Sequence, residues 1–328
     1  MKTYTLNNGA TIPAIGLGTF GSDRYQPQEI AEAVCGAIKA GYRLIDCASV
    51  YGNEAQIGEQ LERAITDGLV ARQELTVISK VWNDMHGPGD VLLSCAKTLR
   101  DLRLDYLDVF MLHWPFPNHH ASGVGVDSRD PHARPFIAEE YLAVWRQMER
   151  LVDMDLVKSI AMSNMTIPKL EALLPHCRIR PALAEMELHP AFQQWDLFNY
   201  CISKNIRPVG FCPIGSPNRP DRDKTSEDIA ATDLPAVKRI AAAHGVHPAA
   251  ICVKWGAQRG EVVIPFSVHE KNYTANLRAV YSDPLTEAEM AEIAAADAHC
   301  RLIKGQVFLW PGAADWHSLW DENPSDAQ

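Results

Sequence analysis

The sequence predicts one α/β domain, a (β/α)8 TIM barrel with an N-terminal β-hairpin, two extra helices and a C-terminal aromatic tail. Three observations predict it. Eight short apolar runs alternate with eight segments of helical periodicity, and eight parallel strands are what closes a barrel. Runs such as Leu107-Asp108-Val109-Phe110-Met111-Leu112 are nearly continuous, the pattern of strands covered on both faces. An open doubly wound sheet is the main alternative. It lacks its dinucleotide fingerprint here, because Gly16-Leu17-Gly18 is followed by Thr19-Phe20-Gly21-Ser22 and not by G-x-G-x-x-G.

Along the chain, Asn8-Gly9 between two short strand-like runs signals a hairpin. Strands are expected at Ile15–Thr19, Leu44–Ala48, Leu75–Lys80, Leu107–His113, Val157–Ser163, Ala182–Glu185, Ile206–Phe211 and Val262–Pro265. Helices are expected near 27–40, 53–67, 89–101, 139–153, 166–174, 194–204, 234–244 and 248–258. In the third of these, Val91, Leu92, Cys95, Leu99 and Leu102 recur at helical spacing. Pro115–Pro135 is long and rich in His, Gly, Pro and Asp, and reads as an excursion over one barrel mouth. Beyond the eighth strand, Asn272–Ala279 and Glu287–Asp297 read as extra helices, followed by the aromatic tail Val307–Trp320. Residues 1–328 are expected to form a single domain without a linker, and Asp321–Gln328 is expected to fray.

Composition excludes several roles. The chain of 328 residues is 47% apolar and 22% charged, as an ordinary globular domain is. A net charge of −10 without a basic stripe disfavours nucleic acid and anionic membranes as partners. No apolar run approaches the ~20 residues of a membrane span. The first residues, Met1-Lys2-Thr3-Tyr4-Thr5, lack the apolar core of a signal peptide, so a cytoplasmic location is expected. Eight scattered cysteines form no C-x-x-C pair. They read as reduced thiols, and no metal site is expected.

In a barrel of this kind, reactive residues stand at the C-terminal ends of the strands. Those ends carry Asp46 and Tyr51, Lys80, His113, Ser163 and Asn164, Glu185, Phe211 and Phe266. One mouth thus gathers an acid, a phenol, an ammonium and an imidazole. Taken singly, Asp46 reads as a turn residue, Tyr51 as a core-edge aromatic, Lys80 as solvated and His113 as a core histidine. Four such coincidences at adjacent strand ends are far less plausible than one site. Hydride arriving at a carbonyl carbon leaves an alkoxide that needs a proton. Tyr51 is the candidate donor, Lys80 the charge that lowers its pKa, Asp46 the partner that aims Lys80, and His113 the donor to the carbonyl oxygen.

The runs Gly41-Tyr42-Arg43-Leu44-Ile45-Asp46, Tyr51-Gly52-Asn53-Glu54, Ser79-Lys80-Val81-Trp82, His113-Trp114-Pro115, Ser163-Asn164 and Gly215-Ser216-Pro217 resemble the aldo-keto reductase superfamily. Its aldose- and xylose-reductase-like branch is most similar, from about Leu6 to Asn276. The resemblance implies reversible reduction of an aldehyde or ketone with NAD(H) or NADP(H), on a small aldose or polyol-type metabolite. It assigns catalysis to Asp46, Tyr51, Lys80 and His113. It implies a cofactor cradle of Gly18, Thr19, Ser163, Asn164, Glu185, Phe211, Cys212, Pro213, Ile214, Ser216, Phe266, Ser267, Val268, Asn272 and Asn276. The pocket candidates are Phe20, Val50, Trp82, Trp114, Phe116 and Trp310, with Asn83, Asp84 and His86 available to sugar hydroxyls.

The chain departs from the family pattern in the cradle. Glu185 stands where the family has Gln, with Ala184 before it in place of Asn, and Phe211 stands for a stacking Tyr. An ionised Glu185 is expected to favour the oxidised, cationic nicotinamide. The family run Ile-Pro-Lys-Ser, with Arg six residues after the Lys, becomes Ile264-Pro265-Phe266-Ser267, with Asn272 in the Arg position. Both cations that hold the 2′-phosphate of NADP are replaced, so NAD(H) is expected to serve at least comparably. Lys271 and Arg278 remain nearby as other cations. A low-turnover cofactor-binding protein and a metal-dependent barrel hydrolase are the competing readings. The complete tetrad argues against the first, and His113 standing nearly alone among metal-ligand types argues against the second. The protein is expected to be a monomer or small homo-oligomer.

Overall fold

The structure, a computed structural model, describes residues 2–21, 24–120, 130–216, 219 and 224–322. Strands β1 (Thr3–Thr5) and β2 (Thr11–Pro13) pair as an antiparallel hairpin, with Gly9 at φ 85° in its turn. The barrel follows as β3 (Leu17–Gly18), β4 (Leu44–Asp46), β5 (Thr76–Val81), β6 (Leu107–Leu112), β7 (Val157–Ser163), β8 (Leu183–Glu187), β9 (Arg207–Phe211) and β10 (Val262–Ile264). These eight strands pair in chain order, all parallel. The ring closes between its first and last strands, where Ile15 bridges Val263 in parallel and Gly18 N donates to Pro265 O at 3.1 Å.

Helices α1 (Pro27–Ala40), α2 (Glu54–Thr66), α3 (Asp90–Leu102), α4 (Ala138–Asp153), α5 (Ile167–Leu173), α6 (Trp195–Ser203), α7 (Pro235–His244) and α8 (Pro248–Arg259) coat the barrel. The two extra helices are α9 (Glu270–Tyr281) and α10 (Glu287–Ala294). Apolar stripes pack on outward-facing strand residues, as Val91, Cys95 and Leu102 of α3 do, whereas Val237 and Ile240 of α7 pack on α8 and α10. The observed α9 begins two residues before the expected start, which places Glu270 in its first turn. An acidic side chain there complements the partial positive charge of the helix N-terminus.

The hairpin plugs the N-terminal end of the barrel. Leu6 and Ile12 pack on Leu44, Ile78, Val109, Met111, Leu183 and Val209 inside the ring. Asn7 and Asn8 fasten the hairpin by donating to the carbonyls of Pro181 and Lys158 at 2.8 and 3.2 Å. The opposite mouth is left for chemistry.

The tail is tied down by buried charge. Glu187 accepts the backbone N–H groups of Leu302 and Ile303 at 2.8 and 2.9 Å and pairs with His189 at 2.9 Å. Burial alone would raise the pKa of this carboxyl. The hydrogen bonds and the charge of Arg301 outweigh it and hold the pKa below the usual glutamate value. Fraying was expected from residue 321, but Asp321 accepts from Lys169 Nζ at 2.6 Å and Glu322 from Arg301 at 3.0 Å. Long-range ion pairs therefore hold these two residues. The rest of that segment, like residues 121–129 of the predicted excursion, lies outside the described residues.

Candidate active site

The barrel's own periodicity builds the site. Side chains two residues apart on a strand share a face. Leu44, Ile78, Met111, Ala161, Leu183 and Val209 fill the barrel interior. Two positions further along the same faces stand Asp46, Lys80, His113, Ser163, Glu185 and Phe211. Apolar residues seal the floor, and the next inward layer carries the polar groups.

Lys80 is completely buried. Its Nζ donates to Asp46 Oδ1 at 2.5 Å and to the Cys47 carbonyl at 3.2 Å, and lies 3.4 Å from Glu185 Oε1. Burial works against the ammonium, but Asp46 and then Glu185 outweigh it and hold the pKa above the ordinary lysine value. Lys80 is therefore charged.

Tyr51 ends a short 3-10 turn, Ser49–Tyr51, after β4. Gly52 leaves that turn at φ 68°, in the left-handed region where a Cβ is disfavoured. Asn53, fully buried, donates to Thr19 O at 2.9 Å and so pins the turn to the end of β3. The Tyr51 ring lies 5.8 Å from Lys80 Nζ, 5.8 Å from the His113 ring and 5.1 Å from Phe20. All four expected catalytic residues share the mouth.

Two electrostatic expectations need correction. Lys80 was expected to lower the Tyr51 pKa. Instead, burial raises it, Lys80 only partly opposes that, and Asp46 and Glu185 push it further up. Burial outweighs the ammonium's pull, so Tyr51 is a neutral phenol that retains its proton. Glu185 was expected to be ionised. Burial, followed by repulsion from Asp46, pushes its pKa up to about 8, and at neutral pH it holds a proton. For His113, burial and then Lys80 hold the pKa well below 6.5, so the ring is neutral.

Beside this group lie three buried polar atoms without partners: Ser163 Oγ, Asn164 Oδ1 and Glu185 Oε2. Asn164 is held at φ 57° by its N–H to Glu185 O at 3.0 Å and its Nδ2 to His113 O at 2.9 Å. Unsatisfied buried groups cost about 1–3 kcal/mol each. A planar amide with one acceptor and two donors, such as a nicotinamide carboxamide, suits such a trio. Phe211, half-buried at the end of β9, offers the flat ring expected beside it.

The remaining cradle residues divide. Gly18 is closely packed, since a Cβ there would sit 3.1 Å from Ile264 Cγ2. Thr19 is buried, and its hydroxyl is used on the Asp46 carbonyl at 2.8 Å. In the loop after β9, Pro213 is buried and Ile214 packs on the core. Cys212 and Ser216 take φ of 53° and 36°, and Ser216 Oγ donates to Cys212 Sγ at 2.8 Å. Pro217 lies outside the described residues. Phe266 lies on Gly21 and packs edge-on to Tyr25, 5.9 Å between centroids. Ser267 Oγ accepts the His269 N–H at 3.1 Å, Val268 packs on the core, Asn272 is exposed and Asn276 is buried.

The expected pocket splits in the same way. Phe20 and Val50 are exposed, and Trp82 stands 5.2 Å from the His113 ring. Trp114 and Phe116 are buried in an aromatic cluster with Phe308 and Trp320, against which Trp310 packs from the tail. Trp114 contributes packing there and little open surface. Asn83, Asp84, His86 and Phe116 line a separate cavity of about 240 Å³ with Arg134 and Tyr141, not the space beside Tyr51 and His113. Sequence reading missed Phe308, which joins Trp82 to Trp114, and the pair Tyr25 and His269 around Phe266. Only the aromatic richness of the tail pointed toward Phe308. Nothing local marked Tyr25 or His269.

Comparison with known proteins agrees with this geometry. Residues 14–298 match the model of the aldo/keto reductase family. An aldo/keto reductase of Synechocystis sp. is 41% identical over 98% of this chain and 97% of its own length. The NAD(P)H-dependent D-xylose reductase of Pachysolen tannophilus is 37% identical over 92% of this chain and 95% of its own. The crystal structure of a Bombyx mori aldo-keto reductase in complex with NADP superposes with a TM-score of 0.80 at 30% identity, covering 92% of this chain and 94% of that one. The chain belongs to the aldo/keto reductase family and is an oxidoreductase.

The shifted Glu185 carboxyl makes stability depend on pH. Unfolded, it loses its proton near 4.5; folded, it keeps it to about 8. Between those values the folded state binds more protons, so this contribution is complete below 4.5 and is lost as pH rises. Denaturant unfolding of the cofactor-free protein at pH 5 and pH 8 should show Glu185→Gln gaining stability relative to wild type at the higher pH. The gain is bounded by about 1.4 kcal/mol per pH unit for one proton. An equal difference at both pH values contradicts the raised pKa.

Proposed function

We propose that the protein catalyses reversible, nicotinamide-dependent reduction of an aldehyde or ketone to an alcohol, with small aldose or polyol-type metabolites as substrates. The observation that carries this reading is the Lys80 ammonium held by Asp46 next to Tyr51 and His113, beside three unpartnered buried polar atoms. The cofactor, when bound, supplies or accepts the hydride. Ser163, Asn164 and Glu185 orient its carboxamide, and Phe211 backs its ring. Neutral His113 donates an N–H to the substrate oxygen and fixes it. Tyr51, still protonated, gives its proton to that oxygen as charge develops, and Lys80 stabilises the phenolate left behind. Phe20 and Trp82 flank the mouth with apolar surface that limits water. The relatives named for D-xylose reduction support an aldose substrate. Eight unpaired cysteines suit a reducing, cytoplasmic compartment.

Tyr51→Phe keeps the ring and removes the proton. Turnover of an aldehyde panel, followed by cofactor absorbance, should fall at least ~100-fold with cofactor affinity little changed. Turnover close to wild type would rule Tyr51 out as the acid. A wild-type protein that binds cofactor but reduces none of the panel would instead be an accessory binding protein.

NAD(H) should be used at least comparably to NADP(H). Phe266 and Asn272 supply no cation, Phe266 is packed against Tyr25 and Gly21, and Glu270 occupies the first turn of α9. A 2′-phosphate of about −1.5 to −2 charge meets neither of the family's two cations there. The check is kcat/KM for both reduced cofactors at one ionic strength. A preference for NADPH above ~100-fold, equal to ~2.7 kcal/mol, contradicts the proposal. Phe266→Lys combined with Asn272→Arg should shift preference toward NADPH, and added salt should erode the gain.

A further inference from the structure

Glu185 shares one buried ammonium with Asp46. Lys80 Nζ lies 2.5 Å from Asp46 Oδ1 and 3.4 Å from Glu185 Oε1, and all three side chains are buried. Burial and then repulsion from Asp46 favour the protonated form of Glu185. Glu185 Oε2 receives no donor at all. A second carboxylate on one ammonium inside a barrel is costly, whereas a neutral carboxylic acid there is not. With that proton the three groups sum to zero charge; without it they sum to −1. The amide of a glutamine at this position would have no such choice.

We propose that Glu185 is the residue that sets which oxidation state of the nicotinamide this site prefers, and that it does so by holding or releasing a proton beside the Lys80–Asp46 pair. The inference rests on the nicotinamide reading above. Protonated, Glu185 presents an O–H and no charge, which suits the neutral reduced ring. Ionised, it presents an acceptor and a negative charge, which suits the cationic oxidised ring. Binding of the oxidised cofactor therefore expels the Glu185 proton to solvent, and binding of the reduced cofactor does not. Stabilising the bound oxidised form as pH rises makes the bound couple a stronger reductant of carbonyls. The proton released by Glu185 offsets the proton consumed in the overall reaction, so conversion between the two bound states takes up no net proton from solvent.

The groups facing Glu185 leave it, paired with Asp46, to titrate near neutrality. From β5, Lys80 is held charged by Asp46 and Glu185 against its burial. After β4, burial keeps Tyr51 a phenol. After β6, burial and then Lys80 keep His113 neutral. After β9, burial pushes the Cys212 thiol up to about 12. Asp46 on β4 titrates together with Glu185 as one pair, so the proton belongs to both. Ser163, opposite Glu185 on β7, has no charge to add.

The test is the affinity of the full-length protein for oxidised and reduced cofactor from pH 6 to pH 9, by calorimetry or fluorescence titration. Both the NAD and the NADP pairs are used, because the ratio within a pair cancels the phosphate's own titration. For wild type, the preference for the oxidised form should rise at least about tenfold across this range. In Glu185→Gln it should stay flat within about twofold. Calorimetry of wild type at pH 7 in buffers of different ionisation enthalpy should show proton release with the oxidised cofactor and none with the reduced one. That measurement needs no variant and stands even if Glu185→Gln folds poorly. Binding of both forms with a pH-independent ratio, or an equal slope in Glu185→Gln, overturns the inference and leaves the nicotinamide reading intact. Failure to bind either form of either pair overturns both.

Discussion

A lysine ammonium placed at the centre of a protein must be compensated, and the barrel is arranged round that requirement. An unpaired charge so deep costs several kcal/mol even after relaxation. Lys80 meets Asp46, Glu185 and the Cys47 carbonyl, all delivered by adjacent or facing strand ends. The register makes this possible. Asp46 pairs with Ile78 across β4 and β5, so the lysine two residues further along reaches back to it. A slip of one residue would turn Lys80 out of the barrel and leave Asp46 without its cation. The parallel ring, its closure at Ile15 and Val263, and the hairpin plug together keep that register.

The ion pair also determines what its neighbours can do. Burial outweighs the lysine's pull on the phenol, so Tyr51 stays protonated, as the proposed acid must be. The same field, acting with burial, keeps His113 neutral and able to donate to a substrate oxygen without adding a cation. The aromatic wall is a separate construction. Glu187 gathers backbone N–H groups of Leu302 and Ile303, and the tail beyond them carries Phe308 to Trp82 and Trp114. The two devices start two residues apart on β8, at Glu185 and Glu187.

Much of this was legible in the sequence because it is local or periodic. The expected strand Val157–Ser163 and helix 27–40 coincide with the observed elements, and the other strands differ by a few residues at their ends. The four catalytic candidates could be placed because strand ends and motif residues coincide. What could not be read depends on contacts between distant segments. The ionisation of Glu185 depends on Asp46 and Lys80, neither of which is near it in the chain. The burial of Trp114 depends on Phe308 and Trp320. The anchoring of Asp321 depends on Lys169, and Tyr25 meets Phe266 only once the barrel closes. Charge balance and aromatic packing of this kind belong to the fold and leave no local pattern.

The central claim is that the compensated Lys80 charge is what makes this mouth a hydride-transfer site. Single-turnover reduction of an aldehyde by Lys80→Met with saturating reduced cofactor tests it most directly, with cofactor affinity measured alongside. The account predicts that cofactor still binds while the rate of the chemical step falls at least ~100-fold, the scale of lost acid–base catalysis. A chemical step within a few-fold of wild type would contradict it.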